Sequence, residues 1–240
     1  MLDGQEGTMP ELSGVARRRP VQRRSAERVG RLLDACAQVL DEIGYDALTT
    51  REVARRAEVP IGTLYQFFAG KAALCHALAE RNLEAFVERL SARLDREPVS
   101  GWQSTASVVV QEYVAMKREM PGFAVIDFGD PQPARLEAAD GERLEDANQQ
   151  VAQRLRPLAV RLGAPESRDL ATVLLVAVEI ADSLVRLAFR FDPRGDPWLI
   201  AEAQRALGAY LDSRLGDSPR PAAEPETAED PPADSAATKI

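Results

Sequence analysis

The stretch LTTREVARRAEVPIGTLYQFFAGKAAL, residues 48–74, reads as two short helices joined by a tight turn. Thr49 can cap the first helix, and Glu52, three residues later, can reach back to the cap in a reciprocal capping box. Val53, Ala54 and Ala57 then form a small apolar face. The break falls at Glu58-Val59-Pro60, where Pro60 has no backbone donor to lose and a φ suited to a first helical turn. A second helix is expected over about Ile61 to Phe68. Leu64, Phe67 and Phe68 anchor it inward at i, i+3 and i+4, leaving Gly62, Thr63, Tyr65 and Gln66 to face outward. Short helix, turn and short helix form the helix-turn-helix plan, in which the second helix enters the major groove of DNA.

Working outward, the chain divides into four parts. Residues 1–24 form a polar arm ending in Arg17, Arg18, Arg19, Arg23 and Arg24, and its low hydrophobicity predicts disorder in the free protein. Such an arm can enter a minor groove or remain a solvated basic tail. A helix from about Ser25, with Val29, Leu32, Cys36, Val39, Leu40 and Ile43 at helical spacing and Gly44 as its stop, completes a three-helix head over residues 25–70. Residues 71–215 show only helical periods. Helices are expected over about 71–96, 103–120, 134–162, 167–191 and 197–215, with a short turn in the segment FAVIDFGDPQP and bends at Gly141 and Pro157. Residues 216–240 are rich in Pro, Ala and acids, the composition of an unstructured tail. The fold class is all-α, about nine helices in total.

Charge follows the same division. From Arg17 to Lys71 there are 11 Lys/Arg and 7 Asp/Glu, a balance of +4; with a net charge of −8 for the 240 residues, the remainder carries −12. A basic head on an acidic body suits a nucleic-acid binder whose other surfaces repel DNA.

The order TTREVA, VPIGTLYQFF and GK resembles the DNA-binding domain of the tetracycline-repressor family of one-component transcriptional regulators, over about residues 25–75. The resemblance implies that Thr50 and Tyr65 give hydroxyls to DNA phosphates and that Lys71 places its ammonium on the DNA backbone, contacts that set register without reading sequence. Arg51 is a candidate for bidentate binding to a guanine edge, and Thr63 and Gln66 for a thymine methyl or adenine edge. Gly62 permits close backbone approach and Ile61 adds an apolar contact. Singly, each has a plainer reading: Tyr65 as half-buried core, Lys71 as a solvated helix start, Arg51 as the partner of an acid. Two positions depart from the family pattern. Glu58 stands where Gly is usual, so a left-handed conformation there carries strain, and Phe67 replaces a Tyr or His, removing a phosphate contact.

One recognition helix buries too little for tight binding, so a homodimer reading two half-sites of a palindromic double-stranded operator is expected. The helix ATVLLVAVEIADSLVRLAF is apolar over most of its circumference. With the last helix, whose Leu199, Ile200, Ala203, Leu207, Tyr210 and Leu211 form a stripe, it can build an intersubunit four-helix bundle, as the resemblance also implies. The alternative is a wholly intramolecular core.

The body also offers a pocket for a small, largely apolar effector. Trp102, Tyr113, Met116, Met120, Phe123 and Phe128 are its candidate lining, with Glu179 and Asp182 on a polar stripe that continues to Arg186. Plain core packing is the competing reading for the aromatics and methionines, and a structural ion pair for Asp182 and Arg186.

HExxH, GxxxxGK, GxSxG and Cys/His clusters are all missing, which argues against an enzyme, a metal site or a cofactor. Cys36 and Cys75 read as buried thiols. With no apolar run near the ~20 residues of a membrane span and no signal-peptide centre at the start, a cytoplasmic protein is expected, with no membrane partner. The function is then a sequence-specific repressor released from its operator by its effector; the alternatives are a helical protein-interaction module or a ligand-independent regulator.

Overall fold

The computed structural model describes residues 18–97, 99–128 and 147–216. Among the described residues there are eight α-helices and no strand: α1 (Arg18–Ala47), α2 (Thr50–Arg56), α3 (Ile61–Phe67), α4 (Lys71–Arg96), α5 (Trp102–Glu119), α6 (Ala147–Arg161), α7 (Leu170–Phe191) and α8 (Pro197–Leu215). The N-terminal half of the helix expected over residues 134–162, with Gly141, lies outside the described residues, as do residues 1–17 of the arm and 217–240 of the tail.

α1 begins at Arg18, upstream of the expected Ser25, so residues 18–24 are helical in the structure. Arginine is a good helix former, and Arg23 Nε meets Glu27 Oε1 at 3.0 Å, one turn on. Gly44 interrupts α1 with a φ of +73°, a conformation that favours glycine, and Tyr45–Ala47 make one further turn.

The caps of α2 set the shape of the head. Thr49 accepts the Glu52 N–H at 3.2 Å, as a cap should. The reciprocal half of the box does not form. The Glu52 carboxylate turns to Arg55 at 2.6 Å and Arg56 at 3.5 Å, because a charged partner one turn away outcompetes a neutral backbone donor. At the other end Glu58 has a φ of +54°. The Val59 N–H donates to Ala54 O at 3.0 Å and the Glu58 N–H to Arg55 O at 3.3 Å, which is a complete Schellman stop with Glu where glycine is favoured. Pro60 then sits at the N-cap of α3. Leu64 and Phe68 are buried, but Phe67 is 36% exposed and does not anchor the helix. Phe68 reaches the core as the extended C-cap of α3, φ −131° and ψ 125°, where the chain leaves the helix.

Two hydrophobic cores result. The head core joins Leu32, Cys36, Val39, Leu40, Val53, Leu64, Phe68, Leu74, Cys75 and Leu78 from α1 to α4. Both cysteines are buried free thiols. The body core lies between α4, α5, α6, α7 and α8 around Leu90, Trp102, Val110, Phe123, Leu170, Val185 and Leu207. The α8 stripe faces this core: Ala203, Leu207 and Leu211 are buried in their own subunit. Leu199, Ile200 and Tyr210 of the same stripe are only half-buried.

The segment after α5 links the two cores. Its single turn is closed by the Ile126 N–H to Gly122 O at 2.9 Å, and Ile126 is fully buried in the head core while Phe123 is in the body core. Gly122, φ +70°, packs so closely on α1 that a Cβ would lie 2.5 Å from Ala37 O, and its N–H donates to Asp41 Oδ1 at 3.1 Å. Asn82 of α4, itself buried, donates from Nδ2 to the carbonyls of Ile126 (2.9 Å) and Asp127 (3.2 Å). No described helix is long and apolar enough to cross a membrane.

Candidate nucleic-acid interface and effector cavity

The outward surface of α2 and α3 carries the side chains expected there. Tyr65 is 54% exposed, and Ile61 is exposed as well. Arg51, Gly62 and Gln66 are exposed and Thr50, Thr63 and Lys71 half-buried. The start of α2 is tied to the last turn of α3 by a hydrogen bond between Thr50 Oγ1 and Tyr65 Oη at 3.1 Å. Two hydroxyls so paired present a joint polar point at the surface, with lone pairs and a proton still available to a phosphate oxygen. Lys71 lies with Nζ 3.8 Å from the centroid of the Tyr45 ring, a cation–π contact that fixes its ammonium against the head.

The remaining cations sort by whether an acid already holds them. Arg55 pairs with Glu52, and Arg56 with Glu42 at 2.6 Å. These contacts pull both Glu52, chiefly through Arg55, and Glu42, chiefly through Arg56, below the ordinary carboxylate range. Arg51 forms no ion pair among the described residues, which leaves its guanidinium to an external acceptor. Arg24, Arg28 and Arg31, spaced i, i+4 and i+7 along α1, are likewise exposed and without an ion pair among the described residues. Of the three, only Arg24 belongs to the arm read as unstructured; Arg28 and Arg31 lie in the helix expected from Ser25.

In the body, a cavity of about 100 Å³ lies between α4, α5, α6, α7 and α8. Of the expected lining, Trp102, Tyr113, Phe128 and Asp182 border it. Met116 and Phe123 are fully buried in the surrounding core, Met120 packs partly buried beside them, and none of the three reaches the cavity. Glu179 is exposed on the outer side of α7. It sits roughly 60° round the helix from Asp182, and only the longer Arg186, on that same side, reaches back to the cavity. Sequence reasoning missed the opposite wall, Val151, Leu155 and Leu158 of α6, and Asp127. A helix face lining a cavity has the same apolar period as one packed in a core; Asp127 was the one acid inside an apolar segment.

Most of the wall is apolar, and its polar groups gather at one end. Tyr113 Oη lies 3.0 Å from Asp127 Oδ2 and 3.0 Å from Asp182 Oδ1. Arg186 Nε donates to Asp182 Oδ1 at 2.7 Å, and its Nη2 is 3.5 Å from Asp127 Oδ2. Burial first, and the two neighbouring carboxylates second, raise the Tyr113 phenol well above its ordinary value. Burial opposes the charge on Arg186, but Asp127 and Asp182 outweigh it and hold the guanidinium above its usual range.

Comparison with known proteins covers both parts. Residues 32–78 match the family model described as bacterial regulatory proteins, tetR family, and residues 100–215 the model described as tetracyclin repressor-like, C-terminal domain. The HTH-type transcriptional repressor KstR of Mycolicibacterium smegmatis is 39% identical over 75 residues, 31% of this chain and 35% of that protein. KstR of Rhodococcus jostii is 34% identical over 93 residues, 39% of this chain and 42% of that protein. The chain thus spans about a third to two fifths of these curated relatives. The crystal structure of a TetR-family transcriptional regulator from Streptomyces coelicolor is 48% identical, covers 78% of this chain and 99% of that one, and superposes with a TM-score of 0.67.

Proposed function

Since the chain belongs to the tetracycline-repressor family of bacterial transcriptional regulators, we propose that it is a homodimeric, sequence-specific DNA-binding repressor released from its operator by a small, largely apolar effector. The observation that carries this reading is the segment 121–128. Ile126 is buried in the DNA-reading head, while its neighbours Asp127 and Phe128 border the body cavity. A ligand that moves Asp127 therefore pulls on the head through one peptide unit, and through Asn82 on α4. Such a ligand acts by favouring the body conformation in which the two heads no longer match successive major grooves. A differential affinity of about 1–3 kcal/mol suffices for a regulatory response.

In this reading Thr50, Tyr65 and Lys71 hold phosphates, and Arg51, Ile61, Gly62, Thr63 and Gln66 meet base edges. The dimer forms through the outward faces of α7 and α8, where Trp198 and Phe191 are 65% and 73% exposed and Val176 is also exposed. Covering such large apolar groups is a main driving force of association. The protein acts by binding and not by catalysis, in the cytoplasm with the chromosome.

Selection of genomic fragments by the purified protein, followed by electrophoretic retention of the selected DNA, tests this proposal. Retention is expected for the wild type and lost for Tyr65→Ala, while both proteins elute as dimers. Equal retention by the variant overturns the assignment of the head.

A further inference from the structure

The chemistry at the polar end of the cavity narrows the class of effector, an inference that rests on reading the cavity as the effector site. Four charged side chains surround Tyr113 there. Besides Asp127, Asp182 and Arg186, Lys117 places Nζ 3.5 Å from Asp127 Oδ2, is itself almost wholly buried, and stands behind the cavity wall. The two acids and two bases cancel. A charged head group of either sign would give up part of its water and meet no net countercharge, which is costly beside a largely apolar cavity.

Hydrogen-bond counting shows what is missing. The Tyr113 hydroxyl has one proton and two carboxylate oxygens at 3.0 Å, so it satisfies one of them at a time. Asp127 has further donors in the Phe128 N–H at 2.8 Å and the two nearby cations. Asp182 has Arg186 on Oδ1, and its Oδ2 has no donor among the described residues. That accessible oxygen can take one more neutral donor, and the phenol freed from Asp182 would still face the incoming group.

We propose that the cavity takes a ligand with an apolar body ending in a neutral hydroxyl, an alcohol or phenol, which donates to Asp182 and accepts from Arg186. A carboxylate would meet two cations already held by two acids. An ether or ester oxygen would bring no such donor.

Calorimetric titration of the full-length protein with 1-butanol, its isomer methyl propyl ether, butylamine and butanoate, sized to the cavity, tests the proposal. The alcohol and the ether have the same atoms and differ in the donor. The alcohol is expected to bind most tightly, and about tenfold more tightly than the ether, the magnitude of one hydrogen bond to a charged acceptor. Asp182→Asn puts N–H groups where lone pairs stood and should bring alcohol and ether to within about twofold of each other. Tyr113→Phe removes the competing donor and should preserve or enlarge the preference, so a misfolded Asn variant does not protect the proposal. Equal or tighter binding of the ether, amine or butanoate overturns the hydroxyl assignment and leaves the cavity as an effector site. Failure of all four to bind overturns both readings. The predicted preference without any change in operator affinity supports the hydroxyl and contradicts the role of effector.

Discussion

Replacing Glu58 with glycine removes a single backbone strain from the DNA-binding head. Glu58 occupies the left-handed position of the α2 stop, φ +54°, where the Cβ of an L-residue costs about 1–2 kcal/mol. Its side chain is exposed and makes no ion pair among the described residues, so little is lost with it. Glycine gives back part of the gain by loosening the unfolded chain, roughly 0.5–1 kcal/mol. The net expectation is a stabilisation of about 0.5–1 kcal/mol, a rise in melting temperature of roughly 1–4 °C for a chain of this size. Scanning calorimetry of wild type, Glu58→Gly and Glu58→Ala separates backbone from charge. Alanine removes the carboxylate but keeps the Cβ, so it should melt with the wild type. Equal stabilisation by alanine and glycine, or destabilisation by glycine, would refute the strain argument.

Three further outcomes follow from contacts in the structure. Tyr65→Phe and Thr50→Val should each weaken operator binding roughly tenfold; because the two hydroxyls bond each other, the double variant should lose less than the product, as measured by fluorescence anisotropy. Asn82→Ala strands the buried carbonyl of Ile126 and the part-buried carbonyl of Asp127 and should cost about 2 kcal/mol in urea unfolding, together with a weaker response of operator affinity to a bound effector. Because folding raises the Tyr113 phenol above the ordinary value of 10.0, its contribution to stability is complete below that pH and lost as pH rises through the folded-state value; melting curves should show an alkaline decline that Tyr113→Phe reduces.

The head was legible because its signals are local. A capping threonine, a left-handed stop, Pro60 and the inward Leu64 each act within a few residues of themselves, and all recur in the structure. The failures were also local choices between partners. Glu52 could serve the Thr49 cap or the arginines beside it, and only side-chain placement decides. Low hydrophobicity in the basic arm hid a helix that Arg23 and Glu27 support. In the body, Trp102, Tyr113, Phe128 and Asp182 were identifiable by their chemistry, whereas Met116 and Phe123 were not separable from plain core. The join at Ile126 escaped the sequence entirely, since its contacts are with Asn82, 44 positions away, and with the head core.

The most direct test is a hydroxyl-radical footprint of the full-length protein on its selected genomic site. Two protected half-sites related by a dyad are expected, with centres about one helical turn or a multiple of it apart, and both are lost on Tyr65→Ala substitution. A single unpaired footprint, or protection that ignores sequence, would contradict it.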